Sequence, residues 1–240
     1  MKKLIMGFIL GVVLSLTINA FAGNVFEQPA EPTPTPTVIM VTPEPVPTPT
    51  IIYEKELTDL EAVVKGTKDS CVMIYAYLPD GNIVQSSGWV YKGYAITAKH
   101  AVKGAEKIDI FTDDDAYGVP GTVYYSDLKL DVAIIRTDTG KPSVTLGDSD
   151  KLIEGGKLVS ITSTEGVMNT IDECVNSGFV TFEEGTYLTI SESSMKGGSS
   201  GGAIFNYDSE IVGIVESGNG GGQLVIPIND IKQMLNDKLK

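Results

Sequence analysis

An all-β fold of two antiparallel six-stranded barrels, with a short N-terminal helix and a C-terminal helix, is predicted by three features of this sequence. About six short apolar or alternating runs lie on each side of a turn at 140–143. Clusters of Gly, Asp, Asn and Pro separate the runs, as β-turns require. Glycine is abundant at 26 residues while charged residues make up only 20%, which suits many strands and tight turns better than a helical bundle.

At the N-terminus, Lys2 and Lys3 precede an apolar run from Leu4 to Leu16, and Ala20-Phe21-Ala22 places small residues where a signal peptidase reads. Cleavage after Ala22 would begin the mature chain at Gly23. The stretch from Leu4 to Ala22 is also just long enough to remain as a membrane anchor, although Thr17 and Asn19 weaken it. Residues 1–22 therefore predict export, with the protein secreted or tethered to the outer face of the cytoplasmic membrane. Residues 23–52 form a Pro/Thr-rich linker that holds eight of the twelve prolines between Pro29 and Thr50. Proline fixes φ and favours the extended polyproline form, so this segment reads as a semi-rigid spacer.

The folded domain is expected over 53–240. Thr58-Asp59-Leu60-Glu61 has the form of a capping box and predicts a helix to Lys65, ended by Gly66. The strand runs of the first barrel, at about 67–142, are 72–78, 83–90, 94–97, 108–111, 121–125 and 132–136. Those of the second, at about 143–227, are 158–162, 170–182, 187–191, 202–205, 211–215 and 223–226. A terminal helix at about 229–239 follows, capped by Asn229, with Ile228, Ile231, Leu235 and Leu239 at helical spacing.

Composition removes several functions. A net charge of −13 and the lack of clustered Lys and Arg exclude nucleic acid as a partner. One histidine and two cysteines fit no metal motif, so no metal or other cofactor is expected. Asp113-Asp114-Asp115 reads as a solvated acidic turn rather than a calcium loop. Cys71 and Cys174 are too few for a disulfide framework; one bridge and two separate buried thiols both remain open.

Three segments carry chemistry. In Gly198-Ser199-Ser200-Gly201-Gly202-Ala203, glycines let the backbone expose a serine hydroxyl and aim the Gly198 and Ser200 amides at one spot, an oxyanion hole. Serine is a poor nucleophile without a base. His100, in Ala95-Ile96-Thr97-Ala98-Lys99-His100-Ala101, is the sole histidine and follows a hydrophobic strand. A buried carboxylate must hold the imidazole tautomer. Asp131 opens the apolar run Val132-Ala133-Ile134-Ile135 and fits that role better than Asp127, which reads as a turn residue.

The order His, Asp, Ser and these local motifs resemble the chymotrypsin-like (trypsin-like) serine peptidases, and more narrowly the HtrA/Deg peptidases. Leu146-Gly147-Asp148-Ser149-Asp150-Lys151-Leu152, Ile211-Val212-Gly213-Ile214-Val215 and Ile226-Pro227-Ile228-Asn229-Asp230-Ile231 support the narrower match. The resemblance spans about Leu57 to Leu239. It implies a serine endopeptidase with the triad His100, Asp131 and Ser200 in the cleft between two barrels, acting on unfolded or flexible polypeptides. It also implies a pocket for the residue before the cut, formed by Ser194 with Val215, Glu216, Ser217 and Gly218. Glu216 would attract a basic side chain if it faced inward, but an outward carboxylate and a preference for modest aliphatic side chains is the expectation. Family members often form trimers, so a homo-oligomer is a further implication. Two departures stand out: Ser199 replaces the usual Asn or Asp, and Lys99 precedes the histidine. Members usually carry a peptide-binding PDZ domain after the protease, whereas this sequence ends at Lys240, so regulation of that kind is not expected. Two competing readings remain: a catalytically silent peptide-binding module of the same fold, and a surface-tethered interaction protein.

Overall fold

The computed structural model describes residues 57–191, 194–218 and 223–240. The expected export segment at 1–22 and linker at 23–52 lie outside the described residues. Helix α1 (Asp59–Thr67) opens on the predicted capping box: the Glu61 carboxylate accepts from the Thr58 amide at 2.8 Å, and Thr58 Oγ1 accepts from the Glu61 amide at 3.3 Å. Gly66 does not end the helix, which runs one residue further and continues as a 3-10 turn at Lys68–Ser70.

The first barrel is a closed ring of six antiparallel strands. They are β1 (Cys71–Tyr77), β2 (Ile83–Tyr91), β3 (Tyr94–Ala98), β4 (Lys107–Phe111), β5 (Val119–Ser126) and β6 (Val132–Arg136), joined in the order β1-β2-β3-β6-β5-β4. One unpredicted helical turn, α2 (Lys99–Val102), follows β3. In the second half, β7 (Thr145–Leu146) is a short parallel addition to a second ring. That ring comprises β8 (Lys157–Thr162), β9 (Thr170–Thr181), β10 (Thr186–Ser191), β11 (Ala203–Phe205), β12 (Glu210–Gly218) and β13 (Gln223–Pro227). Its order is β11-β8-β9-β10-β13-β12, and pairing of β11 with β12 closes it. The chain ends in α3 (Ile228–Lys238). Here Pro227, not Asn229, occupies the cap position without a side-chain bond; Asn229 lies inside the first turn and its Nδ2 donates to Asp148 Oδ1 at 2.7 Å.

Packing explains why so many strands read as continuous apolar runs. Along β6, Ala133 and Ile135 fill the first barrel, while Val132 and Ile134 face a central cluster between the barrels. Leu158, Ile204, Val212, Val215 and Val225 fill the second barrel, whereas Val159, Ala203, Phe205, Ile214 and Ile226 join the central cluster. The two faces of a strand alternate at every residue, so strands buried on both faces need apolar side chains at consecutive positions. Val63 of α1 and Ile228, Ile231 and Leu235 of α3 complete the central cluster. Each such large side chain taken from water contributes roughly 1.5–3 kcal/mol, and together they clamp the two barrels against one another. Cys71 and Cys174 lie buried in different clusters as free thiols. Burial pushes both thiols up, Cys174 to about 12, which makes them inert packing residues.

Candidate active site

The end of β3, the start of β6 and the loop before β11 meet on the barrel boundary. Helix α2 lifts His100 off the end of β3, and Asp131 stands one residue before β6. Because β3 and β6 are paired, with Ala98 opposite Val132, the two residues become neighbours. The His100 imidazole bonds Asp131 Oδ2 through Nδ1, and the His100 amide donates to Asp131 Oδ1 at 2.8 Å. An ionised carboxylate accepts only, so Nδ1 carries the hydrogen and Nε2 presents a lone pair. The hydrogen bond to Asp131 raises the His100 pKa above its usual range; burial opposes this, and the charges of Asp131 and Glu216 add to it. Burial alone would lift the Asp131 carboxyl, but the hydrogen bond and charge of His100, the His100 amide and the charge of Lys99 bring it below the usual range.

Lys99 has a structural task that its neighbour's chemistry explains. Its ammonium donates to the carbonyls of Asp127 at 2.9 Å and Leu130 at 3.0 Å, and its amide donates to the Asp131 carbonyl at 3.1 Å. The residue before the imidazole thus holds the loop that presents the carboxylate. Asp127 is a turn residue as expected, its Oδ1 accepting from the Lys129 and Leu130 amides, both at 2.8 Å.

The serine loop approaches the end of β3 through Gly201, where a Cβ would come within 2.7 Å of the Ala98 amide nitrogen; Ser200 precedes it. The Ser200 carbonyl accepts from the Ser87 amide at 2.9 Å, and the next amide, of Gly201, donates to the Val215 carbonyl at 2.7 Å. Gly201 has φ +84, and a Cβ there would meet the Ser87 carbonyl and Thr97 Oγ1, both at 2.3 Å, so only glycine lets this loop approach β2 and β3 so closely. Gly198, at φ +91, would put a Cβ 2.0 Å from Gln85 Oε1. Among the described residues the Gly198 and Ser200 amides have no hydrogen-bond acceptor, and no hydrogen bond joins Ser200 to His100. The Ser200 hydroxyl instead donates to the Glu216 carbonyl at 3.1 Å.

Sequence reasoning missed the residue that ties this loop down. Ser87 Oγ donates to the Gly198 carbonyl at 2.7 Å and accepts from the Ser163 amide at 2.6 Å. With its amide on Ser200, one serine of β2 fixes both ends of the 198–200 segment. The one local signal was the polar Gln85-Ser86-Ser87 stretch in the middle of β2, both serines of which are buried. Ser199 is buried, with its hydroxyl bonded to Thr164 Oγ1 at 2.7 Å and accepting from the Lys196 amide at 3.2 Å.

The expected pocket residues are spread. Ser194 Oγ donates to both carboxylate oxygens of Asp172, at 2.8 and 2.9 Å. Val215 packs into the second barrel beside Met195. Ser217 and Gly218 pair through their backbones with Leu224 and Gln223. Glu216 is half-buried, and its carboxyl pKa is raised first by burial and then by Asp131. Asp113 and Asp114 pair with Lys68 and Lys141, and no metal-binding group occurs among the described residues.

Residues 80–214 match the family model described as a trypsin-like peptidase domain. The chain is 32% identical over 130 residues to a probable periplasmic serine endoprotease, DegP-like, of Halomonas elongata, covering 51% of this chain and 26% of that protein. It is 28% identical over 165 residues to the serine protease Do-like HtrA of Bacillus subtilis, covering 62% and 36% respectively. The chain thus spans about a quarter to a third of the length of these curated relatives. Its fold is similar to the active form of the Rv3671c protease of M. tuberculosis, with a TM-score of 0.65, 19% identity and coverage of 72% and 82%. The HtrA-type protease AlgW with a tripeptide is a second structural match, with a TM-score of 0.64, 22% identity and coverage of 72% and 62%.

Proposed function

Since the chain belongs to the trypsin-like peptidase family, we propose that it is a serine endopeptidase of the HtrA type, with Ser200 as nucleophile, His100 as general base and Asp131 as the residue that orients the imidazole. The observation that carries this assignment is the two-point contact between His100 and Asp131, made through Nδ1 and the amide, beside the serine loop. That contact leaves Nε2 as a proton acceptor. Ser200 Oγ leaves the Glu216 carbonyl, turns to Nε2 and attacks a peptide carbonyl as His100 takes its proton. The oxyanion is held by the Gly198 and Ser200 amides. Collapse expels the amine, which receives the proton from His100, and an acyl-enzyme remains. Water attacks that ester with His100 again as base, which restores the serine. Catalytic hydrogen bonds in free enzymes are often formed only once substrate is bound, which fits the present placement of Ser200 Oγ. Polypeptides are the substrates proposed, in an exported setting like that named for the periplasmic relatives.

The test is incubation of the full-length protein with unfolded casein and with a fluorophosphonate probe. Cleavage together with covalent labelling is expected; a folded protein that does neither would end the assignment. The Ser200 to Glu216 bond specifically favours a silent peptide-binding reading, which predicts peptide capture with no acyl-enzyme by mass spectrometry.

Lys99 supplies a further prediction. Lys99→Met keeps most of the apolar stem but leaves the carbonyls of Asp127 and Leu130 without their shared donor, so the loop carrying Asp131 loosens. A misplaced orienting group costs rate rather than substrate affinity, so kcat should fall about tenfold with KM unchanged. Steady-state kinetics on a quenched peptide would read the split, and a change confined to KM would contradict it.

A further inference from the structure

Glu216, for which an outward carboxylate was the expectation, is half-buried. The register of β12 against β13 shifts between Val215 and Ser217, so Glu216 is the extra residue of a bulge. Bulges bend a strand and re-aim a side chain. Its carbonyl takes the Ser200 hydroxyl at 3.1 Å, which puts the residue inside the catalytic centre. Among the described residues its carboxylate makes no hydrogen bond or ion pair, and His100 acts on it only through its charge. Other shielded carboxylates have partners: Asp109 has Lys107, Asp131 has His100 and Asp148 has Asn229. A half-desolvated carboxylate held by no hydrogen bond or ion pair is unfavourable, and an incoming cation relieves that. Beside it, Tyr187 on β10 feels the charges of Glu216, Glu184 and Asp131. The Phe182 ring stands 5.9 Å from the Tyr187 ring. Aromatic faces next to an acid suit the apolar stem and charged head of a long basic side chain.

We propose that Glu216 is the specificity residue of the cleft, taking the ammonium or guanidinium of a substrate lysine or arginine close to the scissile bond while Tyr187 and Phe182 flank its stem. This rests on the cleft being the peptide site. An anionic side chain is disfavoured there by Glu216, Glu184 and Asp131 together, and the net charge of −13 draws cationic segments toward the protein.

Binding to the full-length Ser200→Ala protein reads the proposal without turnover. Capped peptides that differ at one position, carrying Lys, Arg, norleucine or Glu, are titrated by fluorescence anisotropy, with that position moved along the peptide. Lys and Arg peptides should bind at least about fivefold tighter than norleucine at one position. The advantage should vanish in Ser200→Ala/Glu216→Gln, fall with added salt, and pass to Glu when Glu216→Lys is used. Equal binding of Lys and norleucine at every position would overturn the assignment, as would a Lys preference that survives Glu216→Gln. If Glu216 acts only through His100, the pH profile moves and selectivity does not, which also overturns it. A wild-type protein that selects Lys but neither cleaves nor labels would overturn the peptidase assignment and leave this one standing.

Discussion

Replacing Ser200 with alanine is expected to lower kcat/KM on an unfolded protein substrate by about 10⁴-fold or more, with the fold intact. The hydroxyl makes a single hydrogen bond, to the Glu216 carbonyl, so the loop does not depend on it. The loop is held by its backbone and neighbours: the Ser87 amide on the Ser200 carbonyl, the Gly201 amide on Val215, and Ser87 Oγ on Gly198. Alanine keeps all of these. What survives is the oxyanion site and substrate binding, which account for the residual rate over water. Initial rates alongside a thermal melt would read both halves. Activity within tenfold of wild type in a folded variant would mean that another group is the nucleophile.

Asp131→Asn should cost about as much, on the order of 10⁴-fold in kcat, by a different route. An asparagine amide can donate to Nδ1, which favours the tautomer with Nε2 protonated and unable to accept the serine proton. The pH profile gives a second signature. The base must be neutral, and its hydrogen bond to Asp131 raises its pKa above the ordinary 6.5. The acid limb of kcat/KM in the wild type therefore lies above that value and should move down in Asp131→Asn. Stability follows the same linkage. The raised His100 pKa gives stability that is complete below the ordinary imidazole value and lost as pH rises through the folded one. The lowered Asp131 pKa gives stability present above the ordinary carboxylate range and lost as pH falls through its folded value. The pair therefore stabilises the fold between those ranges, and His100, half exposed, contributes only modestly because solvent screens it. An acid limb unmoved by the substitution would show that Asp131 does not control the imidazole.

Local features were the most legible. The capping box at Thr58 and Glu61 is an interaction three residues apart, so the local residue order alone reveals it. The helix end at Gly66 was misplaced because the following 3-10 turn and the buried Thr67, whose hydroxyl bonds the Val63 carbonyl at 2.7 Å, carry the chain onward. Asn229 was misread as a cap because Asp148, distant in sequence, claims its side chain. Lys99 stood out only as a departure from the family pattern, and only the loop folded over it shows a carbonyl clamp. Ser87 could not be read as an anchor because its partners at Gly198 and Ser163 lie 111 and 76 residues away.

The sequence by itself determined the class of fold and the six strands of each ring, and it singled out His100, Asp131 and Ser200 as the candidates for the chemistry. Strand periodicity, turn residues and the glycines around Ser200 are encoded within a few neighbours, where local sterics operate. Tertiary structure alone decided which strand face fills a barrel and which fills the seam between barrels. It also decided that the two cysteines stay apart, that Glu216 falls on a bulge of β12, and that Ser200 rests on a carbonyl. Each of these depends on which distant segment arrives as a neighbour, and hydrogen bonds and burial act only across the space that folding closes.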